Sequence, residues 1–346
     1  VSEINIDCTD NLQLLTDYGQ SCRASLIYTS SRYVGLITQH LHADACLLVA
    51  SKGESITGIL PFVIKGGTLG KVYNSMPFYG SNGGVLQRTP CAESKRALIQ
   101  HFYTQAQSNN AASATIITNP LLEDNDDYER WSDYDFKDER IGQFTAFPDN
   151  VDEADLINLF ESPRRRNIRK AIKSQVQVYA TQKPEDMAFL YQTHKHNMDA
   201  IGGVAKHESF FQLVPELMND QEWSMYIATI ENKPVAGLLL LYYNATVEYF
   251  TPVIVEEYRN TQALALVIYE AMKQARVKGF KRWNWGGTWL TQDGVYSFKK
   301  KWGTQDLPYY YYTRLFNPET LKQQRQQLLS EYEGFFVLPF SQLEQS

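Results

Sequence analysis

One unit of sequence pattern occurs twice in this chain, and the repetition limits the folds open to it. Residues 46–87 read as strand, polar turn, strand and an aromatic–proline turn: CLLVASKGESITGILPFVIK, then VYNSMPFYGSNGGVL. Residues 223–258 repeat it as WSMYIATIENKPVAGLLLLYYNATVEYFTPVIVEEY, with ENKP in the place of SKGES and YFTPV in that of MPFYG. Apolar runs bounded by turn residues read as strands. A helix and a further strand follow each time, near 92–108 with TIITNP and near 261–278 with RWNWGG. Two mixed ββ–α–β units predict an α/β (α+β) chain of two tandem domains, residues 1–150 and 151–320, packed around a seam cleft where a ligand binds. Residues 321–346 predict a C-terminal helix and an apolar strand, FFVLPF, returning to the first domain.

The 346 residues are 43% hydrophobic and 21% charged, which supplies cores and excludes disordered and fibrous classes. The four cysteines (Cys8, Cys22, Cys46 and Cys91) form no CxxC pair and read as free, buried thiols of a reducing compartment, rather than disulfides or metal ligands. The start, VSEINIDCTD, has no apolar leader, and the longest apolar run, Val235–Tyr243, is too short to cross a bilayer. A soluble, cytoplasmic protein is expected. Net charge is −6, yet residues 164–173 (RRRNIRKAIK) hold six basic residues and no acid. Removing those six from the 33 Lys and Arg leaves 27 against 39 acids, so DNA is not an expected partner and the basic stretch acts locally.

That stretch reads as a helix, with Ser162 as N-cap and Pro163 first in the helix. At 100° per residue, Arg166, Arg169, Lys170 and Lys173 share one face, while Ile168, Ala171 and Ile172 form an apolar floor. Basic residues in a first turn oppose the helix dipole, and a bound anion reverses that sign. A phosphate- or carboxylate-bearing ligand is therefore expected on this face, against the plainer reading of a solvated charged surface.

Farther along, Tyr258-Arg259 precedes a helix that ends at Gly279, followed by RWNW, a Gly-Gly turn and FKKKWG. In the acetyl-CoA fold a turn of the form (Q/R)-x-x-G-x-(G/A) grips pyrophosphate. Here Arg259-Asn260-Thr261-Gln262-Ala263-Leu264 keeps the arginine and loses both small residues, which crowds a backbone–phosphate approach. In order, RRRNIRKAIKSQVQV, the YRN–helix–KGFKRWNWGG unit and DGVYSFKKKWG resemble the Fem-type (FemABX-like) transferases. Those enzymes, two GNAT-like domains in tandem, transfer aminoacyl groups in peptidoglycan cross-bridge synthesis or act in related envelope polysaccharide pathways. The resemblance spans most of residues 25–315. It implies that Arg166, Arg169 and Lys170 face substrate, with Lys299 of Phe298-Lys299 as the catalytic lysine. It also implies that Tyr79 and Tyr249 line the acceptor. The long coiled-coil arm carried by many members has no room between Asp186 and Trp223, which leaves an acyl-thioester donor open beside aminoacyl-tRNA.

The implied activity is N-acyl or aminoacyl transfer to an amino group of an amino sugar or peptidoglycan stem. Acyl-CoA or aminoacyl-tRNA serves as donor co-substrate, and no tightly bound cofactor or metal is expected. Lys299 would stabilise the oxyanion, and Asp293 either accepts the ammonium proton or caps a turn. A phosphate-bearing glycan or peptidoglycan precursor is the expected partner, with tRNA in reach and a lipid-linked acceptor drawing the protein to a membrane surface. Two rivals stand beside this reading: an acyl-CoA-dependent enzyme for another small amine, and a non-catalytic binder of phosphoglycan or a protein partner. His194-Lys195-His196 points to different helix faces and is no metal site. His207-Glu208 reads as a surface loop or a base, PYYYYTRLF as a strand, and GGTLG and GSNGG as turns.

Overall fold

Each copy of the repeated pattern folds into antiparallel strands followed by a helix and a parallel strand. The computed structural model describes residues 3–79, 82–148 and 153–343. The chain divides into two units, Val1–Arg140 with Pro308–Ser346, and Ile141–Leu307. In chain order the first unit holds β1 (Ile4–Thr9), α1 (Gln13–Gly19), α2 (Ser31–Leu41), β2 (Asp44–Lys52), β3 (Ser55–Gly67), β4 (Gly70–Asn74), α3 (Ala92–Ser108), β5 (Ala111–Ile117) and α4 (Asn125–Trp131). Strand β6 (Phe136–Ala146) carries the chain into the second unit. There follow α5 (Ser162–Lys173), β7 (Gln177–Thr181), α6 (Pro184–Ala200), α7 (Glu208–Leu217), β8 (Trp223–Ile230), β9 (Lys233–Tyr243), β10 (Thr246–Ile254), α8 (Ala263–Val277), β11 (Arg282–Trp289) and α9 (Asp293–Lys300). Strand β12 (Gln305–Leu315) leads back, and α10 (Arg325–Glu331) closes the sequence of helices.

In the first unit β1 to β4 pair antiparallel in sequence order, β5 joins β4 in parallel across the α3 crossover, and β12 pairs antiparallel with β5. Helix α3 turns Leu98, Phe102 and Ala106, spaced four apart, onto Leu48, Leu60, Phe62, Tyr73 and Ile116 of the strands. Each fully buried side chain of this size contributes about 1.5–3 kcal/mol relative to exposure. Just beyond β4, residues 82–86 fold into the end of the sheet: Gly83 donates to the Ile117 carbonyl at 3.0 Å, and Leu86 exchanges two bonds with Ile59. A Cβ at Gly83 would lie 1.7 Å from the Ser75 carbonyl oxygen, so only glycine allows that approach. Part of the GSNGG turn, Gly80 and Ser81, lies outside the described residues.

The second unit repeats the arrangement. Strands β7 to β10 pair antiparallel in order, and β11 joins β10 in parallel after α8. Helix α8 is buried almost all round, with Leu266, Val267, Ile268, Ala271 and Met272 inside, because strands lie on one side and α5 on the other.

Several boundaries differ from the sequence expectation. The 150/151 boundary falls outside the described residues, and the second unit begins at Ile141. Residues from Pro308 onward belong to the first unit, because β12 hydrogen-bonds β5 through Tyr311–Ile117 to Leu315–Ser113. The segment 335–339 does pack in the first unit, with Phe335, Val337 and Leu338 buried, but it is not a strand. Gly334 (φ 77°) precedes it and Pro339 ends it; Phe335 N donates to Tyr332 O, and the Asn74 side chain holds Phe336, its Oδ1 accepting from Phe336 N at 2.7 Å and its Nδ2 donating to Phe336 O at 2.8 Å.

Candidate active site

The central feature of the second unit is a strand pair that stops short. β10 and β11 pair through Thr246–Arg282, Val247–Trp283 and Glu248–Asn284, whereas β10 runs on to Ile254 and β11 to Trp289. The register of β9 and β10 also shifts between Tyr249 and Thr251, a bulge that turns the rest of β10 aside. β11 alternates Trp283, still in the ladder, and Trp285, just past the parting, onto one side. Tyr249 lies 4.9 Å from Trp285, Trp285 stacks on Trp302 at 5.5 Å, and Phe298 lies 6.3 Å from Trp285. The opening is thus walled by aromatic rings.

A cavity of about 120 Å³ lies beside that wall at the head of α8, lined by Arg164, Ile254, Arg259, Gln262, Phe298 and Trp302 among others. Arg164 is the cation set most deeply in it. Its guanidinium sits 4.3 Å over the Phe298 ring and 5.6 Å from that of Trp302, and Nη2 donates to the Phe298 carbonyl at 3.4 Å. Its Nε is buried without an acceptor, and desolvation holds its pKa below the usual guanidinium value. Burial also pushes the Tyr249 phenol far up, an effect that Arg164 partly offsets. A half-buried guanidinium with a spare donor and no bonded carboxylate is suited to an anion.

The sequence reading passed over Arg164, though a signal was there. Arg164, Ile168 and Ala171 stand at i, i+4 and i+7, so the arginine belongs to the buried stripe of α5. Arg166, Arg169, Lys170 and Lys173 occupy the exposed face. Ile172, expected in the apolar floor, is 56% exposed, since it is rotated by 100° from Ala171 toward the solvent side. The helix starts one residue earlier than expected, with Glu161 in the N-cap place and Ser162 inside.

The turn before α8 bears on the donor. Residues Glu256–Thr261 form a 3₁₀ helix, and Gln262 adopts a left-handed φ of 61°. Protein oxygens already take up the amides there: Gln262 N donates to Arg259 O, Ala263 N to Thr261 Oγ1 and Ala265 N to Gln262 O. A backbone cradle for pyrophosphate does not fit this turn. The Arg164 and Arg259 side chains are the groups at hand for phosphate.

Lys299 sits in α9, buried, with Nζ 2.8 Å from Thr288 Oγ1, 3.1 Å from Gly287 O and 3.3 Å from Gly286 O. Thr288 donates in turn to Gln143 Oε1. Desolvation lowers the Lys299 pKa to about 8. The Gly286-Gly287 pair, expected as a turn, lies within β11, and its carbonyls hold this ammonium.

Arg259 and Phe298 line the cavity with Arg164, while Tyr249 packs on Trp285 against the core of the second unit. Asp293 is exposed at the first position of α9, about 9 Å of helical rise from Lys299. Tyr79 belongs to the first unit, 42% exposed against Phe78. His207 caps α7, its Nδ1 accepting from Ser209 N, and buried His194 accepts from Lys206 N through Nε2. Among the described residues no metal-holding group occurs, and no helix is long and apolar enough to cross a membrane.

Comparison with known proteins bears on the fold. Residues 162–300 match the model of the acetyltransferase (GNAT) domain family. The structure of FemX superposes with a TM-score of 0.69 at 14% identity, over 94% of this chain and 99% of that one. The C-terminal domain (DUF2156) of a putative lysylphosphatidylglycerol synthetase from Agrobacterium fabrum gives 0.56 at 10%, over 92% and 96%. A tandem GNAT protein from the clavulanic acid biosynthesis pathway gives 0.53 at 8%, over 90% and 98%. No curated protein sequence matches the chain. The chain therefore has the Fem-type fold of tandem GNAT-like units. The match of residues 162–300 to an acetyltransferase-domain model makes it an enzyme of the acyltransferase kind.

Proposed function

We propose that this protein is a cytoplasmic N-acyl- or aminoacyltransferase that modifies an amino group of a cell-envelope glycan precursor, an amino sugar or a peptidoglycan stem. The observation that carries the proposal is the aromatic-walled parting of β10 and β11, with Arg164 and Arg259 beside it at the head of α8. The acceptor nitrogen attacks the donor carbonyl, the C–N bond forms, and the C–S or C–O bond to the donor breaks. The ammonium proton leaves to water or to the acceptor's own phosphate. Lys299 holds the end of β11 and donates to the oxyanion by giving up its longest bond, that to Gly286 O. Arg166, Arg169, Lys170 and Lys173 attract the phosphates from solvent, and Arg164 and Arg259 seat them.

An acyl-CoA donor is favoured over tRNA by the stretch between β7 and β8, where α6 and α7 have 17 and 10 residues and build no long arm. The lipid synthetase likeness makes a lipid-linked amine a further acceptor to test. The experiment incubates the protein with nucleotide-linked amino sugars, a peptidoglycan stem peptide or an aminoacylatable lipid, each with acyl-CoAs or charged tRNA. Mass spectrometry then reads the products. An acylated amine with one donor class is expected. Unchanged acceptors with every donor, from protein that retains its fold by circular dichroism, would overturn the proposal.

A further inference from the structure

Two thiols of the first unit stand side by side, away from the opening described above. In the β1–β2 ladder Cys8 faces Leu48, and residues two apart share a face, so Cys46 projects beside Cys8 as its diagonal neighbour. Cys8 is exposed, one residue from the end of β1, and Cys46 is partly buried against the core under α3. From α3, Gln105 Nε2 donates to Cys8 Sγ at 3.4 Å.

We propose that Cys8 and Cys46 are a modification site, forming a disulfide on exposure to a small-molecule disulfide such as oxidised glutathione and so pinning edge strand β1 to β2. Diagonal Cβ atoms lie about 7 Å apart or somewhat less in a flat ladder, and a disulfide needs about 4 Å. The last residues of β1 must draw inward, and their place at a strand end on the sheet edge allows it. The exposed Cys8 thiolate attacks one sulfur of oxidised glutathione, making a mixed disulfide and releasing one glutathione thiolate. The Cys46 thiolate then attacks the Cys8 sulfur, the Cys8–Cys46 bond forms, and the second glutathione leaves. Two protein thiols are oxidised and one glutathione disulfide is reduced to two thiols.

The second step is the slow one. Burial, then the neighbouring Cys8 and the carboxylates of Asp44 and Asp10, push the Cys46 thiol up to about 11. Tyr73 also faces the pair, and from α3 the polar Gln105 approaches it. The Cys46 thiolate fraction, and with it the closing rate, should rise about tenfold per pH unit between pH 7 and 9.

The test treats the full chain with oxidised glutathione at pH 7, 8 and 9, with intact mass and peptide mapping to separate adducts at Cys22 and Cys91. Loss of two hydrogens in a Cys8–Cys46 cross-linked peptide is expected, faster at high pH, with a rise of about 5–10 °C in the melting temperature of the first unit. Cys46→Ser should stop at one glutathione on Cys8, and Cys8→Ser should leave Cys46 free. A stable glutathione adduct on Cys8 of the unmutated protein, or two free thiols after treatment at pH 9, would overturn the proposal.

Discussion

Replacing Lys299 with methionine separates the role of its charge from that of its bulk. The ammonium is buried among Gly286 O, Gly287 O and Thr288 Oγ1, and its pKa is lowered to about 8 by desolvation. The unfolded chain holds this proton up to the ordinary value of 10.5. The fold therefore carries a penalty of roughly 3 kcal/mol below pH 8, which disappears as pH rises from about 8 to 10.5. Methionine removes that penalty and leaves three acceptors short of a donor, at about 1–3 kcal/mol each. The second term equals or exceeds the first, so stability at pH 7 should fall by up to several kcal/mol, which urea unfolding reads separately from turnover. Turnover should not be spared, because loss of an oxyanion donor slows it by about 10²–10³. Only the protonated lysine offers a charged donor, and its fraction falls from about 0.9 at pH 7 to about 0.09 at pH 9. The kcat ratio of wild type to Lys299→Met should therefore shrink about tenfold over that range. Taking the ratio cancels titration of the acceptor amine. A ratio near one, or one that stays flat from pH 7 to 9, refutes the assignment.

Three further outcomes follow from the geometry. Arg164→Ala should weaken a phosphate-bearing ligand by about 10–100-fold through loss of charge-assisted bonds, while Arg166→Ala with Lys170→Ala should weaken it only at low salt; calorimetry at two ionic strengths decides, and equal effects refute the inner position given to Arg164. His194 is held near a pKa of about 4 by burial, so the unfolded chain binds the extra proton as pH falls from 6.5 and roughly 3 kcal/mol is lost by pH 4; urea midpoints of wild type and His194→Gln should converge in slope if this is wrong. Gly67→Ala places a Cβ 2.4 Å from the Tyr332 ring and should detach residues 332–339, seen as faster proteolysis there with a lower melting temperature.

The order of elements could be read because it rests on local signals. The polar turns ENKP and SKGES fix each hairpin, and Gly279 (φ 89°) ends the turn after α8 as expected. The site was legible only in part. Phe298 and Arg259 line one cavity with Arg164, a residue of the buried stripe, whereas the sequence reading weighed only the solvent face of α5 for an anion. Charge density marked that face, while the buried stripe held a single arginine whose surroundings come from α9 and the Trp302 turn, more than 130 residues away. The Gly286-Gly287 strand likewise looked like a turn, since nothing local shows that a lysine from α9 will occupy its carbonyls.

The discontinuity of the first unit imposes an order on its birth. Strand β12 supplies Tyr312 to the core and the partner for β5, and Tyr103 Oη donates to the Tyr312 carbonyl. A nascent chain that has emerged through Arg140 therefore carries β5 as a naked edge with a hole in the apolar layer beside it. The contiguous second unit, about 170 residues, is made before β12 arrives. At about 5–20 residues per second that interval is roughly 10–30 s. The half of the molecule synthesised first is thus the half completed last, and during that interval it is the natural client of a chaperone.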